Sequence, residues 1–345
     1  MEKIIFHIDI NAFFSSVEEI YHPELKLKPI AVCGFNKKAV ISTCNYLARQ
    51  KGVKSAMHAD KAKELCREII FIKPNYDLYK KTSDAFFALL KEYTKEIEII
   101  SIDECFMDVT ELVFLSHNNP KILALQIQDN IFKKLNLPVS IGISDSKFFA
   151  KVASDLKKPL GIETLFRNEI NEKFLPLPID KFIGIGIAKI EILKSLNINT
   201  MNDLLNYQNQ SKIQKIFGSY YQKIINTIKG NIEDNLLKTN KEFTKSISKS
   251  NTFCNLENDL ERIDKEIIKI VEEIKETILQ NKIEARTITI TIKAFNFKKI
   301  SKSQTFKTPI NQNNLLAIAR NLFLDIFENQ EINYLSIGLS KLQWV

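Results

Sequence analysis

Residues 101–109, "SIDECFMDV", decide how this chain is read. The apolar residues spell a buried strand, yet Asp103 and Glu104 stand side by side near its start, where desolvation makes charge costly. A matching intrusion occurs in residues 4–10, "IIFHIDI", where a lone acid, Asp9, interrupts Ile4, Ile5, Phe6, Ile8 and Ile10. Three carboxylates on neighbouring strand ends stay ionised in a shielded site only beside a cation, because like charges raise one another's pKa. Hard oxygen donors with no ligand pair of His or Cys favour Mg²⁺, which keeps waters and takes its remaining ligands from substrate phosphates. Such a set suits in-line phosphoryl transfer, with two ions holding the attacking and leaving oxygens. A single strand-end acid would more simply cap a turn or pair with a lysine; the recurrence is what points to a metal site. Strict alternation sends adjacent residues to opposite faces, so Asp103 and Glu104 serve one site only if a turn or twist falls there.

Outward from these strands, the first 165 residues alternate β-rich and helical runs, which predicts an α/β domain. "KIIFHIDI" and "PIAVCGF" read as strands, and "AVISTCNYLARQKG" as a strand running into a helix. "LYKKTSDAFFALLKEYTKE" carries Leu78, Phe86, Leu89, Leu90 and Tyr93 at helical spacing. From 167 to 232 short helices predominate, around "LPIDKFIGIGIAKIEILKSLNINTMNDLL", and predict a small all-α unit. A polar tether over 233–243 leads to a last α/β unit with one long amphipathic helix, "NDLERIDKEIIKIVEEIKETILQ", and strands such as "ARTITITIKAF" and "NYLSIGLSKLQ".

Composition agrees with a folded protein that meets a polyanion. Of 345 residues, 45% are hydrophobic, enough for ordinary cores, and the formal charge is +8. Five scattered cysteines, none in CxxC spacing, indicate neither a disulfide framework nor a zinc site. Without a secretion signal or an apolar run near 18 residues, a cytoplasmic protein without a membrane span is expected. The four histidines, His7, His22, His58 and His117, form no ligand pair and read as structural or surface residues.

Four segments in order, "HIDINAFFSSVEE", "STCNYLARQKGVKSAM", "SIDECFMDVT" and "SIGISDSKFFAKVASDLKKPLG", resemble the Y-family DNA polymerases, most of all the bacterial DNA polymerase IV (DinB) group. The resemblance implies an α/β and α+β multidomain protein: a right-hand polymerase with a ferredoxin-like palm (1–10 and 77–166), small fingers (11–76), a helical thumb (167–232), the linker (233–243) and an α/β little finger (244–345). It also implies template-directed addition of deoxynucleotides to a primer 3′ end, of low fidelity and without proofreading, in translesion synthesis and DNA repair. Two Mg²⁺ ions, with Mn²⁺ as a substitute, would be held by Asp9, Asp103, Glu104 and the backbone carbonyl of Ile10, with Glu104 tied to the primer-side ion.

Tyr46 and Arg49 lie three apart, on one helical face, where a phenol and a guanidinium can both donate to phosphate. Alone, such a pair is usually solvated surface; the resemblance makes it a triphosphate contact, with Lys158 a third and Thr43 adding a hydroxyl. Phe14 falls on the steric-gate position that excludes a 2′-hydroxyl, Phe13 packs beside it, and Val40 and Ser42 roof the nascent base pair. "FIGIGIAKIEILKSL" resembles a helix-hairpin-helix, in which Gly184 and Gly186 let backbone N–H groups approach phosphates, with Lys189 close behind. In "ARTITITIKAFNFKKISKSQTFK", Thr287, Thr289, Thr291 and Lys293 alternate with Ile288, Ile290 and Ile292. That alternation predicts one polar, basic face, and the segment carries Arg286, Lys293, Lys298, Lys299, Lys302 and Lys307 with no acid among them, as suits a sheet lying along a duplex backbone.

The sequence departs from the family pattern at Asn11, where many relatives carry an acid; at Ser146, in place of an Asn; and at Asn197, in place of a Gly. The C-terminal "SKLQWV" shows no clear sliding-clamp motif, leaving clamp binding open; a monomer is expected, with primer-template DNA and deoxynucleoside triphosphates as partners. Two other readings compete. A nucleotidyl cyclase could share the carboxylates but would need neither the helical unit nor the basic sheet, and a non-catalytic DNA-repair scaffold would not need the acids together with Tyr46, Arg49 and Lys158.

Overall fold

A computed structural model describes residues 3–34, 39–116, 119–232, 245–295 and 298–344. These form two compact units, one from the described residues up to 232 and one from those after 244. The expected linker over 233–243 and His117 lie outside the described residues.

The first unit opens with strand β1 (Ile5–Ile10), helix α1 (Phe13–Tyr21), β2 (Ile30–Cys33), β3 (Ile41–Cys44), α2 (Tyr46–Gln50), α3 (Ala59–Leu65) and β4 (Ile70–Ile72). Helix α4 (Tyr76–Lys91), β5 (Ile97–Ile99), β6 (Glu104–Asp108), α5 (Thr110–Ser116), α6 (Pro120–Leu135), β7 (Val139–Ser144), α7 (Lys147–Leu156) and β8 (Ile162–Thr164) follow. Helices α8 (Ile187–Ser195), α9 (Met201–Asn206), α10 (Gln210–Phe217) and α11 (Tyr221–Ile228) complete it.

Its central sheet runs β5-β6-β1-β7-β8, with β1 antiparallel to both β6 and β7. Alternation along β1 sorts the side chains: Phe6, Ile8 and Ile10 join Phe86, Leu90, Ile127 and Ile131 of α4 and α6 in one core, while His7 and Asp9 face the other way. Helix α7 covers that second face so closely that a Cβ on Gly142 would lie 1.9 Å from the carbonyl oxygen of Ala150. Only glycine fits there, and β7 and α7 are thereby locked together. Phe149 and Val152 of α7 also enter a separate helical core with Phe174, Leu193, Met201, Leu204, Ile213 and Phe217, so one helix ties the sheet to the all-α part. A small sheet in the order β3-β2-β4 closes over Ala48, Val53 and Ala62. Cys33, Cys44, Cys66 and Cys105 are buried free thiols.

Two departures from the family pattern prove locally compatible. Ser146 caps α7 by accepting the Phe149 N–H at 3.3 Å, and Asn197 sits at φ +59°, a left-handed conformation that Asn tolerates better than most residues.

The second unit contains β9 (Ser246–Glu257), α12 (Leu260–Asn281), β10 (Ile283–Ala294), β11 (Lys299–Thr305), α13 (Leu315–Leu324) and β12 (Ile332–Trp344). Its sheet runs β11-β10-β12-β9. Ile263, Ile267, Ile270, Val271, Ile274 and Ile278 form one stripe of α12 and pack with α13 on Ile288, Ile290 and Ile292. Arg320 clamps the two helices with a bidentate pair to Asp264, Nε to Oδ1 at 2.7 Å and Nη2 to Oδ2 at 2.6 Å.

Candidate active site

In "SIDECFMDV" the end of a hairpin loop falls between the paired acids Asp103 and Glu104. β5 and β6 pair antiparallel, residues 100–103 form the loop, and the Glu104 carbonyl accepts the N–H groups of Ile100 at 3.1 Å and Ser101 at 3.3 Å. Asp103 is thus the last loop residue and escapes strand alternation, while Glu104 opens β6 directly opposite Asp9 of β1. The Asp103 carbonyl accepts the Ile10 N–H at 2.9 Å, fastening the loop to the end of β1.

Asp9, Ile10 and Asp103 line one cleft with Ala12, Phe13, Phe14, Ile102, Ser42, Thr43, Tyr46, Arg49, Ser55 and Lys158. Of the positions the sequence singled out for metal or nucleotide, Val40 and Glu104 are not in this lining. Val40 is exposed beyond a third and bridges to His58. Glu104 is instead engaged by Lys151 of α7 and approached by His7 Nε2 at 3.3 Å.

Each acid has a partner that balances or shares its charge. Burial pushes the Asp9 carboxyl above its usual range, against the pull of Lys158, whose Nζ is 2.8 Å from Asp9 Oδ1 and 2.7 Å from Asp155 Oδ1. The imidazole of His7 and the ammonium of Lys151 hold Glu104 down at about 2, despite its partial burial. Asp103 Oδ1 accepts the hydroxyl of Ser101. Among the described residues no three of Asp, Glu, His and Cys form a ready-made metal cage. The donor chemistry nevertheless fits a hard cation: Asp9 and Asp103 face one cleft, and the buried Asp9 already needs positive charge, here from an ammonium.

Sequence reasoning overlooked His7, Lys151, Asn45 and Tyr79. His7 is 1% exposed; its Nδ1 lies 2.8 Å from Ser154 Oγ, a hydroxyl that also reaches the Lys151 carbonyl at 2.8 Å. The signal was its place two residues before Asp9, hence on the same strand face. Asn45 caps α2, accepting the Ala48 N–H at 3.1 Å and the Ile30 N–H at 3.1 Å, and donates to Glu19 Oε1 at 2.7 Å and the Lys28 carbonyl at 2.8 Å. It therefore ties the helix bearing Tyr46 and Arg49 to α1, which bears Phe13 and Phe14.

The Tyr46 hydroxyl is buried in the cleft with no hydrogen-bond partner among the described residues, and burial pushes its pKa up, so it remains a phenol able to donate. The Arg49 guanidinium lies 4.9 Å from the centre of its ring, and Nε donates to the Cys44 carbonyl at 3.0 Å, fixing the plane of the fork. Phe14 stacks on Tyr79 with ring centres 4.2 Å apart and planes 14° from parallel. Tyr79 is fully buried and donates its hydroxyl to Glu18, so Phe14 rests on a fixed wall. Phe13 is buried beside it, 5.5 Å between ring centres.

In the all-α part, Gly184 takes φ +102°, Gly186 precedes α8, and Lys189 lies over the Phe217 ring at 5.2 Å. The first element of the expected hairpin is a single 3-10 turn, Ile179–Lys181, rather than a full helix. In the second unit, Thr287–Thr305, Thr289–Ser303 and Thr291–Ser301 hydroxyl pairs at 2.9, 2.8 and 3.0 Å rib the open face, continued by Lys293 opposite Lys299. Register corrects one expectation: Lys302 lies opposite Ile290, on the helix-covered face, where it pairs with Asp325 at 3.6 Å. Arg286 donates to Gln343 Oε1 at 3.2 Å, and Lys298 and Lys307 are exposed.

Residues 8–155 match the impB/mucB/samB family and residues 244–345 its C-terminal domain. DNA polymerase IV of Ureaplasma parvum is 40% identical over 99% of this chain and 95% of its own length. DNA polymerase IV 1 of Bacillus subtilis is 35% identical over 97% of this chain and 81% of its own. Among solved structures, a chimera of the Y-family polymerases Dbh and Dpo4 superposes with a TM-score of 0.88 at 25% identity, covering 99% of this chain and 100% of the chimera. An insertion ternary complex of Dbh DNA polymerase superposes at 0.67, again at 25% identity, over 99% of this chain and 100% of its own. With matches over nearly its whole length, the chain belongs to the impB/mucB/samB family of Y-family DNA polymerases, in the DNA polymerase IV group.

Proposed function

We propose that this protein is a translesion DNA polymerase that adds deoxynucleotides to a primer end on a template, with the cleft between β1, the 100–103 loop, α1 and α2 as its active site. The observation that carries the reading is that one cleft holds two acids, Asp9 and Asp103, together with a set of donors: the Tyr46 hydroxyl, Arg49, Lys158 and the hydroxyl of Thr43. The donors suit a polyphosphate, and the acids suit the cations that accompany one. Asp9, Asp103 and the Ile10 carbonyl, joined by Glu104, would hold two Mg²⁺ ions, which when bound help deprotonate the primer hydroxyl and neutralise charge on the leaving pyrophosphate.

The chain's own residues do the positioning. Tyr46, Arg49 and Lys158 bind and orient the triphosphate, Phe14 on its Tyr79 wall presses against the sugar, and Lys151 with His7 fixes the protonation state and direction of Glu104. Ser42 presents a small side chain toward the base, and Thr43 adds its hydroxyl to the triphosphate contacts. Domain boundaries follow the sequence reading: palm 1–10 and 77–166, fingers 11–76, thumb 167–232 and little finger 244–345. Gly184, Gly186 and Lys189 of the thumb and Lys293, Lys298 and Lys299 of the little finger would hold primer-template DNA through its phosphates. A cyclase would not require either element.

Primer extension with Mg²⁺ tests the reading. The wild type should extend a primer opposite template bases and Asp103→Ala should lose activity by about 10³-fold or more. No incorporation by the wild type would end the polymerase reading, and an equally active Asp103→Ala would end the site assignment.

A further inference from the structure

We infer that Asn11 and Gln128 form a two-sided clamp on the backbone of Leu160 and act as positioning residues for Lys158, setting where its ammonium meets the incoming nucleotide. This rests on the reading of Lys158 as a triphosphate contact.

Asn11 follows β1 directly and is 1% exposed. Its Oδ1 accepts the Leu160 N–H at 2.7 Å, while Nδ2 donates to Ser140 Oγ at 2.9 Å. Its backbone is also held, the N–H by the Pro138 carbonyl at 2.8 Å and the carbonyl by Ser16 Oγ at 2.7 Å. From the other side Gln128 of α6 donates Nε2 to the Leu160 carbonyl at 3.0 Å and to the Val139 carbonyl at 2.9 Å. Both polar groups of one residue are therefore gripped by side chains from elements far away in sequence.

Leu160 needs gripping. It adopts φ +61°, a conformation that costs a residue with a Cβ roughly 1–2 kcal/mol, and its side chain is 52% exposed, so packing contributes little to holding it. Lys158 lies two residues earlier, and the chain just after is fixed by the Ile141 N–H on the Gly161 carbonyl at 2.9 Å. Release of Leu160 would free the short segment between α7 and that bond, and with it the ammonium now 2.8 Å from Asp9. A displacement of about 1 Å at such a contact can cost on the order of 10²-fold in rate. The change from acid to amide at position 11 fits the same picture. The amide keeps the acceptor for Leu160 and adds a donor for Ser140, without adding another negative charge near Asp9.

Single-nucleotide incorporation on a primer-template, with the deoxynucleoside triphosphate varied, tests this for Asn11→Ala, Gln128→Ala, Lys158→Ala and the pairwise combinations with Lys158→Ala. Each clamp variant should raise KM for the nucleotide about tenfold with a smaller change in kcat, and should add little on the Lys158→Ala background. Asn11→Asp, which retains an acceptor for Leu160, should recover most of the loss. If Lys158→Ala leaves KM unchanged, the triphosphate reading falls and the clamp inference with it. If Lys158→Ala raises KM but Gln128→Ala does not, or the clamp effects persist undiminished without Lys158, the clamp inference alone is overturned. Gln128 is half-buried on a helix surface, so its variant provides the test should Asn11→Ala fail to fold.

Discussion

Phe14 illustrates how a residue acquires a role from its neighbours. In isolation, two adjacent phenylalanines at the head of a helix are core residues, and Phe13 is one; Phe14 stays partly exposed because it borders the cleft and leans on Tyr79. Replacing Phe14 with Ala should open space beside the sugar and reduce discrimination against ribonucleotides by about tenfold or more, measured as the ratio of kcat/KM for paired deoxy- and ribonucleotides. Tyr79→Ala should lower the same ratio less, since the gate remains but its wall is gone. Unchanged sugar selection in Phe14→Ala would remove the gate assignment. Asp103 and Glu104 teach a related lesson. The sequence identified both acids, but one turn separates their surroundings: Asp103 enters the cleft and Glu104 faces Lys151 and His7.

At the scale of elements, the site depends on two joints. Asn45 starts α2 and fastens it to α1 and β2, so Asn45→Ala should cost about 1–2 kcal/mol of stability by urea melts and also raise KM for the nucleotide. The second joint is Glu163 on β8, largely buried, with Lys173 Nζ at 2.9 Å and Lys157 in closer contact. Burial disfavours its charge, but Lys157 and Lys173 prevail and hold the carboxyl down from 4.5 to about 2. A depressed carboxyl contributes stability above its unfolded pKa and loses it as pH falls through the folded value. Wild type should therefore exceed Glu163→Gln by on the order of 2 kcal/mol near pH 7, with the gap shrinking below about pH 4.5 and mostly gone near pH 2. A gap that stays constant across that range would show that charge is not its source.

For the whole molecule, the formal +8 is put to use by register. On the second unit's sheet, Lys293 and Lys299 share the open, hydroxyl-ribbed face, whereas Lys302 is turned to the helices. Removing Lys293 or Lys299 should weaken DNA binding similarly for all sequences and lower the slope of log K against log salt by roughly one each, whereas Lys302→Ala should leave that slope in place. Equal effects from all three would contradict the assignment of faces. No helix among the described residues is long and apolar enough to cross a membrane.

What the sequence determined by itself was whatever local chemistry and period encode: acids set into apolar strands, the alternation of Ile with Thr in β10, the apolar stripe of α12, and a donor pair three residues apart. What only the tertiary structure decided was which of these face one another. Lys151 against Glu104, Tyr79 behind Phe14, Asn45 joining α2 to α1, and Asn11 with Gln128 around Leu160 all join residues distant in sequence, and no periodicity carries that information. The reason is physical. Buried polar groups must find partners wherever the packed chain brings them, and that choice belongs to the fold as a whole, not to any one segment.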